Sequence, residues 1–201
     1  MTTEVEAKFH ITDLKKVTSR LKKLGADLLH SRVLEQNWRY DTPDRKLQEN
    51  WHILRLRLSD KITLTFKGRT EEIEGTSQRP EFEIEVNELE QTRLLLQALG
   101  YQVSGFYEKY RTAYRLAGMM ITLDELPFGD FIEIEGECVS EIQQAAADLG
   151  LAWETNITEN YMVLFNRMKQ SLGLEIEEIS FKALAMVDAT PEMWGLIPAD
   201  R

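Results

Sequence analysis

The sequence is poor in cysteine, proline and positive charge, and each shortage removes a class of explanation. Its 201 residues include one cysteine. Cys138 therefore excludes an intramolecular disulfide framework and any cysteine-rich metal site, and reads as a packed or edge thiol. The three histidines, His10, His30 and His52, are scattered and match no metal-ligand spacing. Proline occurs five times, and no low-complexity linker divides the chain. No apolar run approaches the roughly 20 residues needed to span a bilayer. With 24 Lys and Arg against 34 Asp and Glu, the net charge is -10, which argues against a nucleic-acid surface built on bulk positive charge. The opening residues Met1 to Glu6 lack a basic segment followed by an apolar one, so a cytoplasmic location is expected, without membrane or nucleic-acid partners.

What is present suits an ordinary folded domain: 43% of residues are hydrophobic, including eight Phe, six Tyr and four Trp. Three segments share one grammar. Glu4-Val5-Glu6, Glu83-Ile84-Glu85 and Glu133-Ile134-Glu135 each lie in an extended run. Helical stretches follow them and end at Leu24-Gly25, Leu99-Gly100 and Leu149-Gly150, where glycine suits a left-handed cap. Ser140 with Gln143 forms a capping-box pattern ahead of the third helix. Strands are predicted at 52–59, 61–67, 79–86, 107–116, 119–124 and 130–136, with hairpins closed at Ser59-Asp60 and Ala117-Gly118. The stretch from Gly68 to Gln78 reads as a polar loop, and a last helix carries Tyr161, Leu164, Phe165, Met168 and Leu172 on one face. About eight antiparallel strands with three or four helices make an α+β fold.

Period-two alternation sorts the strand charges. Glu4, Glu6 and Lys8 share one face, opposite Val5, Ala7 and Phe9. Arg55 with Arg57, Thr63 with Thr65 and Lys67, and Lys109 with Arg111 do the same, as do Arg79 with Glu81, Glu83 and Glu85, and Glu133 with Glu135. Two arrangements satisfy this pattern: a sheet with its charged face in water, or a curled sheet with the charged face inside and helices covering the apolar exterior. The second has a chemical use. Clustered carboxylates are hard ligands for Mg²⁺ or Mn²⁺, while Arg and Lys suit phosphate oxygens.

The ordered series of motifs resembles a known family. Glu4-Val5-Glu6-Ala7-Lys8 matches the ExExK signature of the CYTH family, the triphosphate tunnel metalloenzymes. The match continues through Tyr40-Asp41-Thr42-Pro43, Leu54-Arg55-Leu56-Arg57, Leu64-Thr65-Phe66-Lys67, Arg79 with Glu81 and Glu83, Lys109-Tyr110-Arg111, Leu123-Asp124, and Gly129 to Glu135. It covers about residues 2–168.

The resemblance implies an eight-stranded antiparallel barrel, a tunnel with helices packed outside, over residues 1–170. Residues 171–201 are left as an apolar extension expected to dock on the domain or on a second subunit, with a homodimer one option. Glu4, Glu6, Asp124, Glu133 and Glu135 would hold Mg²⁺ or Mn²⁺. Lys8, Arg55, Arg57, Lys67, Lys109 and Arg111 would bind phosphate, with Lys8, Glu4 and Glu6 catalytic and Arg79, Glu81, Glu83 and Glu85 as further candidates. Two positions depart from the thiamine triphosphatases of the family: Arg39 stands where those carry Tyr, and Ile53 where they carry Trp. The implied activity is metal-dependent hydrolysis of triphosphate compounds, inorganic triphosphate foremost and nucleoside triphosphates next. An adenylate cyclase and a non-catalytic polyphosphate- or nucleotide-binding module are the alternatives.

Overall fold

The structure, a computed structural model, describes residues 2–74 and 76–201, and for residues 2–4, 72, 73 and 77 the backbone alone. Among the described residues, nine strands form one antiparallel sheet: β1 (Thr2–Ile11), β2 (Asp27–Asp41), β3 (Ile53–Leu58), β4 (Ile62–Lys67), β5 (Glu71–Ile73), β6 (Thr76–Val86), β7 (Gln102–Leu116), β8 (Met119–Leu126) and β9 (Gly129–Gly136). They run in the order β1-β9-β8-β7-β2-β3-β4-β6, and β1 also pairs with β6. That last pairing closes eight strands into a ring, and a closed ring has no open edges to aggregate. The short β5 hangs on β6 outside the closure.

Among the described residues, the α-helices are α1 (Leu14–Lys23), α2 (Lys46–Glu49), α3 (Leu89–Ala98), α4 (Val139–Asp148) and α5 (Tyr161–Leu172). Alternation decides what they cover. Val5, Ala7, Phe9 and Ile11 of β1, Ile121 and Leu123 of β8, and Ile132 and Ile134 of β9 face outward onto Val17 and Leu21 of α1 and Ile142, Ala145, Ala146 and Leu149 of α4. Each fully buried aliphatic side chain there contributes roughly 1.5–3 kcal/mol of transfer free energy. Asp13 caps α1 through Lys16 N–H at 2.9 Å. Arg20, at the other end of α1, donates to the Leu149 carbonyl that terminates α4, at 2.6 Å.

The helices after β1, β6 and β9 end at Leu24, Leu99 and Leu149, each followed by a positive-φ glycine, as the three-fold grammar predicts. Three expectations change. Strand β2 was not among the predicted strands, because register shifts near His30 and at Arg39–Tyr40 interrupt its alternation. The expected loop 68–78 contains β5 and the start of β6. The capping box does not form: α4 begins at Val139 behind Cys138, so Ser140 and Gln143 already lie inside the helix.

The extension packs on its own chain. Ile179, Leu184, Trp194 and Leu196 bury against Leu164, Phe165 and Met168 of α5. Ile179 exchanges backbone hydrogen bonds with β7, donating to Phe106 at 3.1 Å and accepting from Glu108 at 2.8 Å. Near the chain end, the Asp200 carboxylate accepts from Thr12 N–H at 3.0 Å and Asp13 N–H at 2.8 Å.

Candidate active site

The ring encloses a cavity of about 1120 Å³. Strand order divides its wall by charge. The three Glu-x-Glu strands are neighbours, β6–β1–β9, and form an acidic wall. Strands β7, β2 and β3, also consecutive, form the opposite wall and carry Lys109, Arg111, Arg39, Arg55 and Arg57. Strands β4 and β8 join the two walls with Thr63, Lys67 and Thr122.

Most of the sequence-predicted residues meet in this cavity. Glu6 and Lys8 from β1, Glu133 and Glu135 from β9, and Arg79, Glu81 and Glu83 from β6 line the acidic wall. Glu6 lies directly opposite Glu135, and Lys8 opposite Glu133, in the β1–β9 register. Glu4 occupies the same strand face at the position paired with Arg79, but its side chain lies outside the described residues. Glu85 sits on the rim instead, paired with Lys61 at 2.8 Å. Asp124 is fully buried behind the lining, and its partners are donors. Lys109 Nζ reaches it at 2.7 Å, Arg111 Nε at 2.6 Å, Arg111 Nη2 at 2.5 Å, and the Tyr161 hydroxyl donates to it at 2.8 Å.

This cluster continues into the acidic wall. Arg111 also donates to Glu133 at 2.5 Å, and Lys8 lies 3.4 Å from Glu133. Lys8 in addition donates to the Glu159 carbonyl at 3.1 Å and sits 4.4 Å from the Tyr161 ring centre. Burial pushes the Glu133 carboxyl upward, but Arg111, Lys8 and Lys109 outweigh it and hold it well below the usual carboxylate range. Burial, then Asp124 and Glu133, push the Tyr161 hydroxyl up, so it stays a hydrogen-bond donor.

Glu35 is the counter-ion of the basic wall. Burial raises its carboxyl, yet Arg111, Lys109, Arg57 and Arg55 together bring it down to about 2. Arg57 lies 3.5 Å from it and Lys109 3.8 Å. Arg57 also binds Glu83 at 3.1 Å, tying β3 to β6 across β4. Lys67 pairs with Glu81 at 2.9 Å, and Arg79 with Glu6 at 3.3 Å.

Lining or supporting residues that the sequence does not mark as site members include Glu35, Arg39, Tyr107 and Tyr161. Glu35-x-Asn37-x-Arg39 is itself a period-two polar face, but it lies in the strand that was not predicted. Tyr161 read as an apolar helix position because nothing in helical spacing reveals its hydroxyl meeting Asp124.

A metal fits the donor set in part. Glu6 and Glu135 are cross-strand like charges, an arrangement that a bound cation relieves. Among the described residues no cluster of three or more acidic or histidine ligands is preformed.

Known proteins share this architecture. A Methanocaldococcus jannaschii protein provisionally named an adenylate cyclase is 30% identical over 144 residues, covering 70% of this chain and 80% of that one. A Vibrio parahaemolyticus structure, also provisionally described as an adenylate cyclase, superposes with a TM-score of 0.74 at 21% identity, covering 82% of this chain and 98% of its own. A Hippeastrum structure, described as a provisional adenylyl cyclase with dominant triphosphatase activity, reaches 0.59 at 19% identity, covering 81% of this chain and 95% of its own. The CYTH domain model matches residues 2–158, and the chain belongs to the CYTH domain family.

Proposed function

We propose that this protein is a divalent-metal-dependent hydrolase of triphosphate compounds, with inorganic triphosphate as the foremost substrate. The observation that carries this reading is the division of one closed cavity into an acidic and a basic wall. A linear polyanion between such walls meets guanidinium and ammonium groups on one side. On the other it meets carboxylates suited to the cation it carries. Either partner alone would be repelled by one wall.

Glu6 and Glu135, with Glu133 and Glu4 on the same face, would hold Mg²⁺ or Mn²⁺, which as a Lewis acid polarises phosphoryl oxygens. The protein's own part is positioning and charge neutralisation. Arg55, Arg57, Lys109 and Arg111 orient the phosphates, and little of that orientation has to be organised at the moment of reaction. Lys8, held between Glu133, the Glu159 carbonyl and the Tyr161 ring, stands at the acidic wall where negative charge on a departing phosphate needs a cation. In this reading Asp124 acts through others: it fixes Lys109 and Arg111 in place.

The second reading, adenylate cyclisation, is favoured by the name of the Methanocaldococcus jannaschii relative. One assay separates the readings. Purified protein is incubated with inorganic triphosphate or ATP and Mg²⁺ or Mn²⁺, and the products are resolved. Diphosphate plus orthophosphate from inorganic triphosphate is expected. Cyclic AMP with diphosphate as the main product would replace the hydrolase by the cyclase, and tight binding without product would leave a binding module. Glu6→Gln is expected to lower metal-dependent turnover by roughly a hundredfold or more while the far-UV spectrum is unchanged. Wild-type turnover in that variant would remove the carboxylates from the metal assignment.

A further inference from the structure

Among the described residues, Arg39 is a cavity arginine without a hydrogen-bond or ion-pair partner, although it is only partly exposed. Its register partner on β3 is Arg55, so two cations face each other across adjacent strands, which is destabilising in itself. Burial, with the neighbouring Arg55 and Arg79, pushes the Arg39 guanidinium below its ordinary value against the opposing pull of Tyr107 and Asp41. The carboxylate nearest in sequence, Asp41, is already engaged: it accepts from the backbone N–H groups of Thr42, Leu47 and Gln48 at 2.7–3.0 Å.

Arg55 is little better served. Its hydrogen bonds go to two uncharged hydroxyls, Tyr107 at 3.3 Å and Thr65 at 3.4 Å, and the Glu83 carboxylate is 3.9 Å away. Its Nε is buried without a hydrogen-bond partner. Two guanidiniums therefore share a corner in which Arg39 has no hydrogen bond or ion pair among the described residues and Arg55 is held by two hydroxyls and a long ion pair to Glu83.

The corner also lies beside the start of α5. Gly105 is the β7 register partner of Arg39, and the Met162 methyl lies 3.1 Å from where a Cβ on Gly105 would sit. Met162 and Val163, from the first turn of α5, line the same cavity.

We propose that Arg39 and Arg55 form a subsite for the terminal phosphate of the bound triphosphate, an inference that rests on the triphosphate reading of the cavity. Charge selects the terminal group. An interior phosphate of a triphosphate carries one negative charge, whereas a terminal phosphomonoester-like group carries close to two near neutral pH. Two facing guanidiniums, one of them without a protein partner among the described residues, match the second, and the fork geometry of Arg suits its oxygens. The subsite sets the direction of the substrate: the free phosphate end points to the α5 side, and any group esterified to the other end points to the opposite mouth.

The test compares three ligands by calorimetry without divalent metal, so that nothing turns over: inorganic triphosphate, ATP, and diadenosine triphosphate, in which both ends are capped. Arg39→Gln is expected to weaken inorganic triphosphate and ATP by about tenfold to a hundredfold, the size of a lost charge-assisted hydrogen bond. Diadenosine triphosphate, lacking a terminal phosphate, should change by less than about threefold on the same scale. Arg39→Lys should restore most of the loss. Without ligand, the Arg39→Gln midpoint of thermal unfolding should equal or exceed that of the wild type, because a repelled cation is gone. Equal weakening of capped and uncapped ligands, unchanged binding of inorganic triphosphate, or a lowered midpoint with general weakening would each overturn the subsite. A wild-type protein that binds inorganic triphosphate but never hydrolyses it defeats the hydrolase reading and leaves this comparison intact. One that binds none of the three defeats both.

Discussion

The two sides of the cavity treat charge in opposite ways. Around Asp124 every cation has an anion: Lys109, Arg111 and Lys8 are held by Asp124 and Glu133 at 2.5–3.4 Å, and Tyr161 completes the set. At the Arg39–Arg55 corner, two cations face each other, and Arg55 is held by two neutral hydroxyls and a 3.9 Å ion pair to Glu83. The first region is finished by folding alone. The second is finished by a ligand. A buried charge left unpaired costs stability, so a protein that tolerates one has a reason outside its own fold.

The largest expected effect breaks the finished region. Asp124→Ala leaves Lys109, 2% exposed, and Arg111 facing each other without their shared anion, and is expected to cost about 3–5 kcal/mol in urea unfolding. A cost under about 1 kcal/mol would mean that the cluster is solvated like a surface ion pair.

Acid is the next probe. The Glu35 carboxyl sits at about 2 against an ordinary 4.5, and Glu133 is also depressed. A depressed carboxylate contributes stability above its unfolded value and loses it as pH falls toward its folded one. Stability should therefore decline from about pH 4.5 down to about pH 2, with Glu35 worth roughly 3 kcal/mol of that decline. Glu35→Gln should flatten this limb of the stability-versus-pH curve. An unchanged slope would show that Glu35 does not carry it.

Tyr161→Phe is a milder cut. It removes one donor to Asp124 and keeps the ring under Lys8, so a loss of about 2 kcal/mol is expected in the same unfolding measurement. Smallest of all is the effect of Arg39→Gln on the stability of the free protein, near zero or slightly positive. Set against Asp124→Ala, it gives the comparison its sign: one region loses stability with its charge, and the other does not.

Much of this site is legible along the chain because strands alternate. Glu6, Lys8, Arg55, Arg57, Lys109, Arg111, Glu133 and Glu135 share faces by period two alone, and all reach the cavity. Glu85 obeys the same period yet ends on the rim, since alternation chooses a face but not a depth. Strand β2 was hidden by its bulges, and Glu35, Asn37 and Arg39 were hidden with it. Asp124 reads, through the family resemblance, as one of the metal-holding carboxylates. Its enclosure by Lys109, Arg111 and Tyr161 joins β7, β8 and α5, which no local pattern connects.

The sequence by itself determined which side chains turn to the charged face, which turn to the helices, and where the helices stop. Those properties follow from backbone periodicity and left-handed glycines, both local. Only the tertiary structure decided that the charged face is an interior, through the β1–β6 pairing that closes the ring. The same closure set β6, β1 and β9 side by side and β7, β2 and β3 opposite them. Strand order depends on contacts between residues far apart in the chain. That order turns evenly scattered charges into two walls, and leaves Arg39 facing Arg55 where a ligand can supply the missing anion.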